Sequence, residues 1–90
     1  MDAKRRVTII NKLGLHARAA AKLAKLASGF ESDVLLRRDE QSVNAKSIVA
    51  VMMLASTRGT DIEIQAQGHD AVEAVMQLEA LVLDRFGESE

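Results

Sequence analysis

The stretch from Asp61 to Gln67 alternates polar and apolar residues without interruption. Because successive side chains of a β-strand point to opposite faces of a sheet, this pattern predicts a strand with Ile62, Ile64 and Ala66 facing the core. The polar residues between them place the other face of the sheet in water. A sheet with one wet face is typical of antiparallel strands whose helices all pack on the opposite side.

The remaining segments predict three further strands and three helices. The predicted strands are Val7–Ile10, a segment that starts at Val34, and Ser42–Asn44, and the predicted helices are Ala17–Ser28, Ile48–Leu54 and a last one that starts after Asp70. The element order is therefore βαββαβα. It predicts an α+β fold, an open-faced sandwich with a four-stranded antiparallel sheet and three helices on one face.

Asp70 and the residues after it predict how the last helix begins. Asp70 is followed three residues later by Glu73, a spacing that resembles the capping box of helix N-termini. Val72 and Met76 belong to the apolar pattern of this helix. We therefore expect Asp70 to cap the helix, and Val72 and Met76 to contribute to its broad apolar face.

Length and composition exclude several function classes. The 90 residues suit a single domain spanning residues 1–90. With 12 basic and 13 acidic residues, a net charge of −1 and only two aromatic residues, nucleic-acid binding is not expected. There is no cysteine, no apolar run approaches the ~20 residues of a membrane span, and the first residues are too polar for a signal peptide. We expect a cytoplasmic protein with no metal, no cofactor and no membrane contact.

The segment from Gly14 to Arg18 lies where the first strand gives way to the first helix. A helix N-terminus presents unpaired backbone N–H groups and the positive end of the helix dipole, which together bind anions. His16 falls at or next to the N-cap, and Arg18 can reach the same anion with its planar guanidinium. Nearby positive charge disfavours the imidazolium form, so we expect His16 to be a neutral nucleophile. Spacing alone also fits an ordinary capping histidine.

The helix predicted at residues 48–54 is apolar nearly all round. So short a helix cannot bury every face in a domain of this size, and an exposed apolar patch marks a partner site. We expect a docking surface formed by this helix and the first one, with residues Ala17, Ala20, Ala21, Ile48, Val49, Met52 and Met53. The alternative is that these side chains merely cover Val51 and Leu54 in the core.

Ser47 precedes the same helix and is a good N-cap. A phosphate added there would meet the helix dipole favourably and would place charge beside the docking surface. The sequence leaves plain capping and regulation as alternatives.

Two segments of the chain resemble motifs of one family. Asn11–Arg18 (NKLGLHAR) is similar to the phosphohistidine segment of the HPr family, the phosphocarrier proteins of the bacterial phosphotransferase system. Asn44–Ile48 (NAKSI) is similar to the regulatory-serine segment of that family. The resemblance covers essentially the whole chain. One departure is Ala19, where the family usually has a proline that presets the first helical turn; we expect the site to survive with a less preset backbone.

The resemblance implies a role for each matched residue. His16 would be phosphorylated on Nδ1, Arg18 would be the charge partner of the phosphoryl group, and Ser47 would be the target of an HPr kinase/phosphorylase in some branches. The implied partners are enzyme I as donor and an enzyme IIA as acceptor, and the carrier would have no turnover of its own. We further expect a monomer. Features of the sugar and nitrogen branches occur together, so the branch stays open.

Two other functions remain compatible with the residues alone. A small ligand-binding or regulatory module would explain the fold and the anion site, but not the Gly14–Arg18 cluster together with an exposed helix. A hydrolase acting on an anionic ester through His16 and Arg18 would need a second polar group to activate water. The sequence does not identify that group.

Overall fold

The described residues, 1–54 and 56–90 of the computed structural model, form the predicted order βαββαβα. The strands are β1 (Asp2–Thr8), β2 (Asp33–Arg38), β3 (Gln41–Asn44) and β4 (Asp61–Gln67), and the helices are α1 (Ala17–Ser28), α2 (Ile48–Met53) and α3 (Ala71–Leu83), followed by a short helical turn at Arg85–Gly87. None of the helices in this part of the chain is long and apolar enough to cross a membrane.

The alternating segment is an interior strand of the sheet. The strand order is β1-β4-β2-β3, and all neighbours are antiparallel. Ile62, Ile64 and Ala66 are buried against the helices, as the alternation predicts. On the opposite face, Glu63 lies across from Arg6 of β1 and from Arg37 of β2, and such cross-strand opposite charges favour the pairing.

Strand β1 is longer than the sequence predicts. The predicted strand was Val7–Ile10, but β1 begins at Asp2 and ends at Thr8. Its first half is charged and exposed because β1 lies at the edge of the sheet, where charged side chains are tolerated and discourage pairing with other chains. Ile9 lies beyond the strand, although its N–H still donates to the carbonyl of Thr60 at 2.9 Å.

The prediction that Asp70 caps α3 is wrong. The Asp70 side chain makes no cap hydrogen bond; its carboxylate instead accepts the backbone N–H groups of Glu31 and Ser32, each at 2.9 Å, and the Ser32 hydroxyl. These bonds, led by that from the hydroxyl, lower the pKa of Asp70 to about 2. Asp70 therefore links the start of α3 to the segment before β2. Val72 and Met76 are exposed and lie outside the buried face of α3.

The chain after α3 turns back toward the start of α1. Arg85 and Phe86 both have φ of 55°, followed by Gly87 at 78°, and left-handed backbone costs about 1–2 kcal/mol for each non-glycine residue. Burial of the Phe86 side chain, which is 0% exposed, offsets this cost. The Lys22 ammonium also donates to the Phe86 carbonyl at 2.6 Å. The segment formed by residues 85–90, called the tail below, is thus anchored beside α1.

Candidate functional site

A tight turn positions the start of α1. The Asn11 side chain is buried, and its Nδ2 donates to the carbonyl of Gly14 at 2.8 Å. Gly14 has φ of +64°, and a Cβ at this position would lie 2.5 Å from the carbonyl oxygen of Ser56. Only glycine fits both the positive φ and the close approach to Ser56. The backbone at Gly14 can therefore pack closely against the segment after α2. The neighbouring Leu15 N–H donates to the same Ser56 oxygen at 2.9 Å.

His16 is the N-cap of α1, at the position predicted from the sequence. Its backbone is extended, and its Nδ1 accepts the backbone N–H of Arg18 at 3.3 Å. Its carbonyl accepts the N–H of Ala20 at 2.8 Å and begins the helical ladder. The first turn contains no acidic residue. One ring nitrogen therefore lies at the positive end of the helix.

Arg18 lies in the first turn, and its side chain is exposed. Within residues 1–54 and 56–90, its guanidinium has no hydrogen-bond or ion-pair partner. It lines an open depression together with Lys12, Leu13, His16, Glu88 and Glu90. This guanidinium is therefore available to an anion bound at the helix start, while its role stays a prediction.

Sequence reasoning missed Glu88. One carboxylate oxygen, Oε2, contacts Nε2 of His16, and the other, Oε1, accepts Nδ2 of Asn11 at 3.0 Å. The bond from Asn11, with smaller contributions from His16 and the Lys22 ammonium, lowers the pKa of Glu88, although desolvation acts in the opposite direction. Glu88 follows His16 by 72 positions, and no local signal marks it. It supplies a polar group beside His16 that the sequence did not identify.

A second contact ties the tail to the turn before α1. The Lys12 backbone N–H donates to the Glu90 carbonyl at 2.7 Å. The two side chains also approach, with Lys12 Nζ 3.5 Å from Glu90 Oε2. Since both side chains are exposed, this ion pair adds little stability. Within the described residues, no group of three or more His, Cys, Asp or Glu side chains is arranged to hold a metal ion.

The predicted docking surface is largely exposed, with one correction. The exposed members are Ala17 on α1 and Ile48, Val49, Met52 and Met53 on α2, and Ala21 is half-buried. Ala20, by contrast, is 0% exposed and packs in the core, because it lies on the same face of α1 as Leu23 and Ala24. It cannot contact a partner. Val51 and Leu54 are buried beneath the exposed residues.

Ser47 is the N-cap of α2. Its Oγ accepts the backbone N–H of Ala50 at 3.2 Å. The capping role is confirmed, and the regulatory role stays a prediction.

Comparison with known proteins identifies similar chains at nearly full length. A family model for the PTS HPr component phosphorylation site matches residues 3–84. The phosphocarrier protein HPr of Cupriavidus necator is 52% identical over 87 residues, which cover 97% of this chain and 98% of that protein. The phosphocarrier protein NPr of Escherichia coli K12 is 45% identical over 89 residues, which cover 98% of this chain and 99% of that protein.

Solved HPr structures share the fold. HPr from Thermoanaerobacter tengcongensis matches with a TM-score of 0.94 at 39% identity, covering 98% of this chain and 99% of that one. A structure described as an HPr dimer from the same organism matches with a TM-score of 0.77 at 41% identity, covering 91% of this chain and 94% of that one. The open-faced sandwich predicted from the sequence is therefore confirmed.

Proposed function

Given that the chain belongs to the HPr family, the phosphocarrier proteins of the phosphotransferase system, we propose that it accepts a phosphoryl group from phospho-enzyme I on Nδ1 of His16 and passes it to an enzyme IIA. The observation that carries the proposal is the placement of His16 at the N-terminus of α1, beside the exposed side chain of Arg18 in an open depression. Both phosphoryl transfers, from enzyme I and to the enzyme IIA, take place in the cytoplasm and use no cofactor.

The start of α1 supplies what a transferred phosphoryl group requires. The Nδ1 lone pair attacks phosphorus, and the backbone N–H of Arg18, now 3.3 Å from Nδ1, can donate to an oxygen of the incoming group. The Arg18 guanidinium can hold two oxygens at once. Catalysis of such transfers consists mainly of positioning and charge stabilisation. The chain is a substrate of its partners and has no turnover alone.

Docking uses the exposed side of α2 together with Ala17 and Ala21. The two exposed methionines of α2 adapt to differently shaped surfaces, and donor and acceptor overlap there because His16 must enter each active site in turn. The carrier acts as a monomer, because a second copy on this surface would cover His16. Residues 1–90 act as one domain, whose buried side chains form one core cluster within the described residues.

Ser47 is a regulatory site in hosts that contain an HPr kinase/phosphorylase. A phosphate on Ser47 would lie at the positive end of α2, so it need not unfold the helix. Its negative charge would lie next to the exposed apolar residues of α2 and would weaken docking. The test is to phosphorylate Ser47 enzymatically and to measure affinity for enzyme I; unchanged affinity contradicts the regulatory role.

A hydrolase is the competing function, because Glu88 places a carboxylate against His16. A His–carboxylate pair can serve as a general base. The carrier predicts instead that the phosphorylated protein persists until an acceptor arrives. The lifetime of the phosphorylated protein therefore separates the two functions.

The test is incubation of the purified protein with enzyme I and phosphoenolpyruvate. We expect an acid-labile, base-stable adduct of one phosphoryl group, located on His16 Nδ1 by NMR. Addition of an enzyme IIA should remove the adduct, and parallel assays with sugar-branch and nitrogen-branch proteins identify the branch. Failure to form the adduct, or steady release of free phosphate without an acceptor, contradicts the proposal.

A further inference from the structure

The tail carries a carboxylate to the ring nitrogen that faces away from the start of α1. Glu88 Oε2 contacts His16 Nε2, while Asn11 Nδ2 holds Glu88 Oε1 at 3.0 Å. The His16 and Glu88 side chains are only 27% and 17% exposed, and the Asn11 side chain is buried. The buried Asn11 side chain therefore holds the Glu88 carboxylate against His16, and this contact is partly shielded from water.

The hydrogen bonds of the ring define its tautomer. Nδ1 of His16 accepts the backbone N–H of Arg18, so in the neutral ring Nδ1 carries the lone pair. The proton then lies on Nε2, which donates to the Glu88 carboxylate. A carboxylate that accepts the second N–H of a histidine fixes both the tautomer and the orientation of the ring.

We propose that Glu88 is a positioning residue that keeps Nε2 protonated and covered, so that only Nδ1 takes the phosphoryl group. This inference rests on the proposed function. The Nδ1 lone pair forms the N–P bond, and the bond from phosphorus to the donor breaks with its electron pair staying on the donor. The Nε2 proton does not move, so the phosphorylated ring is positively charged and faces the carboxylate. When the acceptor attacks, the N–P electron pair returns to Nδ1 and a neutral imidazole leaves.

The tail is built to hold Glu88 in this place. Arg85 and Phe86, whose backbone is left-handed, direct the chain toward His16. Before Glu88 in the sequence, the Phe86 carbonyl accepts a hydrogen bond from the Lys22 ammonium. After Glu88 in the sequence, the Glu90 carbonyl accepts the backbone N–H of Lys12. Strained backbone that the surrounding structure maintains is characteristic of functional positions. The lowered pKa of Glu88 keeps its carboxylate ionised at neutral pH.

Potassium phosphoramidate tests the inference without any protein partner, because it phosphorylates exposed imidazoles chemically. In the wild type, NMR should find phosphate on Nδ1 of His16 and none on its Nε2. In Glu88→Ala, the Nε2 adduct of His16 should appear, whereas Glu40→Ala, which removes an exposed carboxylate from the turn between β2 and β3, should behave like the wild type. His69, whose side chain is 70% exposed, is the internal reference and should react alike in all three proteins. A Glu88→Ala protein that still reacts only at Nδ1 overturns the proposal.

A second measurement tests the charge and does not depend on shielding. The charged groups near the ring are the basic residues Lys12, Arg18 and Lys22 and the acidic residues Glu88 and Glu90 of the tail. Glu88→Gln removes one of these charges and keeps the side-chain shape. The pH profile for hydrolysis of phospho-His16 should then shift by about one pH unit toward acid, because the ring proton loses its partner.

In Glu88→Asp, which keeps a carboxylate, the profile should return most of the way to that of the wild type. A purely structural role for Glu88 would leave the profiles of all three proteins superimposed. Melting temperatures identify any variant that fails to fold. If Glu88→Ala does not fold, the pH profile of Glu88→Gln tests the proposal instead. If enzyme I does not phosphorylate the wild type but the phosphoramidate pattern holds, the proposed function fails and the positioning role stands. If enzyme I phosphorylates the wild type and both Glu88 effects are absent, the positioning role alone fails.

Discussion

Helices α1 and α2 begin in the same way and are surrounded differently. Each follows an extended N-cap whose side chain accepts a backbone N–H, at 3.3 Å for His16 and 3.2 Å for Ser47, and neither has an acid in its first turn. The start of α1 is enclosed by the tight turn at Gly14 and by the tail, whereas α2 presents four exposed apolar residues.

The comparison shows that a helix N-terminus alone does not make a site. What distinguishes the start of α1 is a histidine whose Nε2 contacts Glu88, together with the exposed side chain of Arg18 beside it. Helix α2 instead carries the exposed apolar residues that are predicted to form the docking surface. Under the proposed function, the start of α1 would carry the chemistry, and α2 would provide the surface that a partner contacts.

The largest expected effect comes from His16→Ala. Phosphoryl acceptance from enzyme I should be abolished, because no other side chain at the start of α1 offers an imidazole lone pair. Folding should change little, since an N-cap is worth ~1 kcal/mol. Mass spectrometry of the phosphorylated protein and a thermal melt measure the two quantities.

Ser47→Ala is the matched control for this comparison. It removes the cap of α2 and should also cost ~1 kcal/mol of unfolding free energy, but acceptance should stay at the wild-type rate. If Ser47→Ala accepts phosphate poorly while folding normally, the two helix starts do not have separate roles.

The second effect concerns docking through α2. Met52→Glu places a charge in the apolar centre of the expected interface, which costs about 2 kcal/mol by desolvation, or about 30-fold in affinity. Stability should change little because Met52 is 42% exposed. Affinities for enzyme I and for the acceptor should fall together, as measured by calorimetry.

Met76→Glu provides the matched control, because Met76 is 48% exposed on α3. Its affinity for both partners should equal that of the wild type. Loss of affinity for only one partner in Met52→Glu would indicate two separate surfaces, and lost stability with unchanged affinity would place Met52 in the core.

A smaller effect is expected at Arg18. Arg18→Lys keeps the charge but loses the planar fork, and loss of one hydrogen bond to a charged group costs about 1.5 kcal/mol, or about 10-fold in transfer rate. Stability should stay within about 0.5 kcal/mol of wild type. Rapid-quench kinetics measure the rate, and Arg37→Lys on the outer face of the sheet is the control. A wild-type rate for Arg18→Lys would show that the fork is not used.

The features that sequence reasoning predicted correctly depend on near neighbours along the chain. The alternation of Asp61–Gln67 determines which face of β4 is buried, and the glycine and helix formers around His16 determine where α1 starts. The features it missed depend on distant contacts. Glu88 finds His16 only because the tail folds back, and the Asp70 carboxylate binds Ser32 rather than its own helix. Neither contact leaves a periodic signal.

The start of α3 is a third case and gives the smallest effect, which depends on pH. The Asp70 carboxylate is used structurally, and its pKa of about 2 in the folded protein lies below the value of about 3.9 in an unfolded chain. A lowered pKa contributes stability that is fully present above the unfolded pKa and is lost as the pH falls through the folded pKa. The wild type should therefore lose stability between about pH 4 and pH 2, and Asp70→Asn should lose less over that interval. Phosphoryl acceptance at neutral pH should not change, because Asp70 binds Ser32 and not the start of α1. Denaturant unfolding at about pH 6, 4 and 2 measures the slope, and equal slopes for the two proteins would contradict the role assigned to this carboxylate.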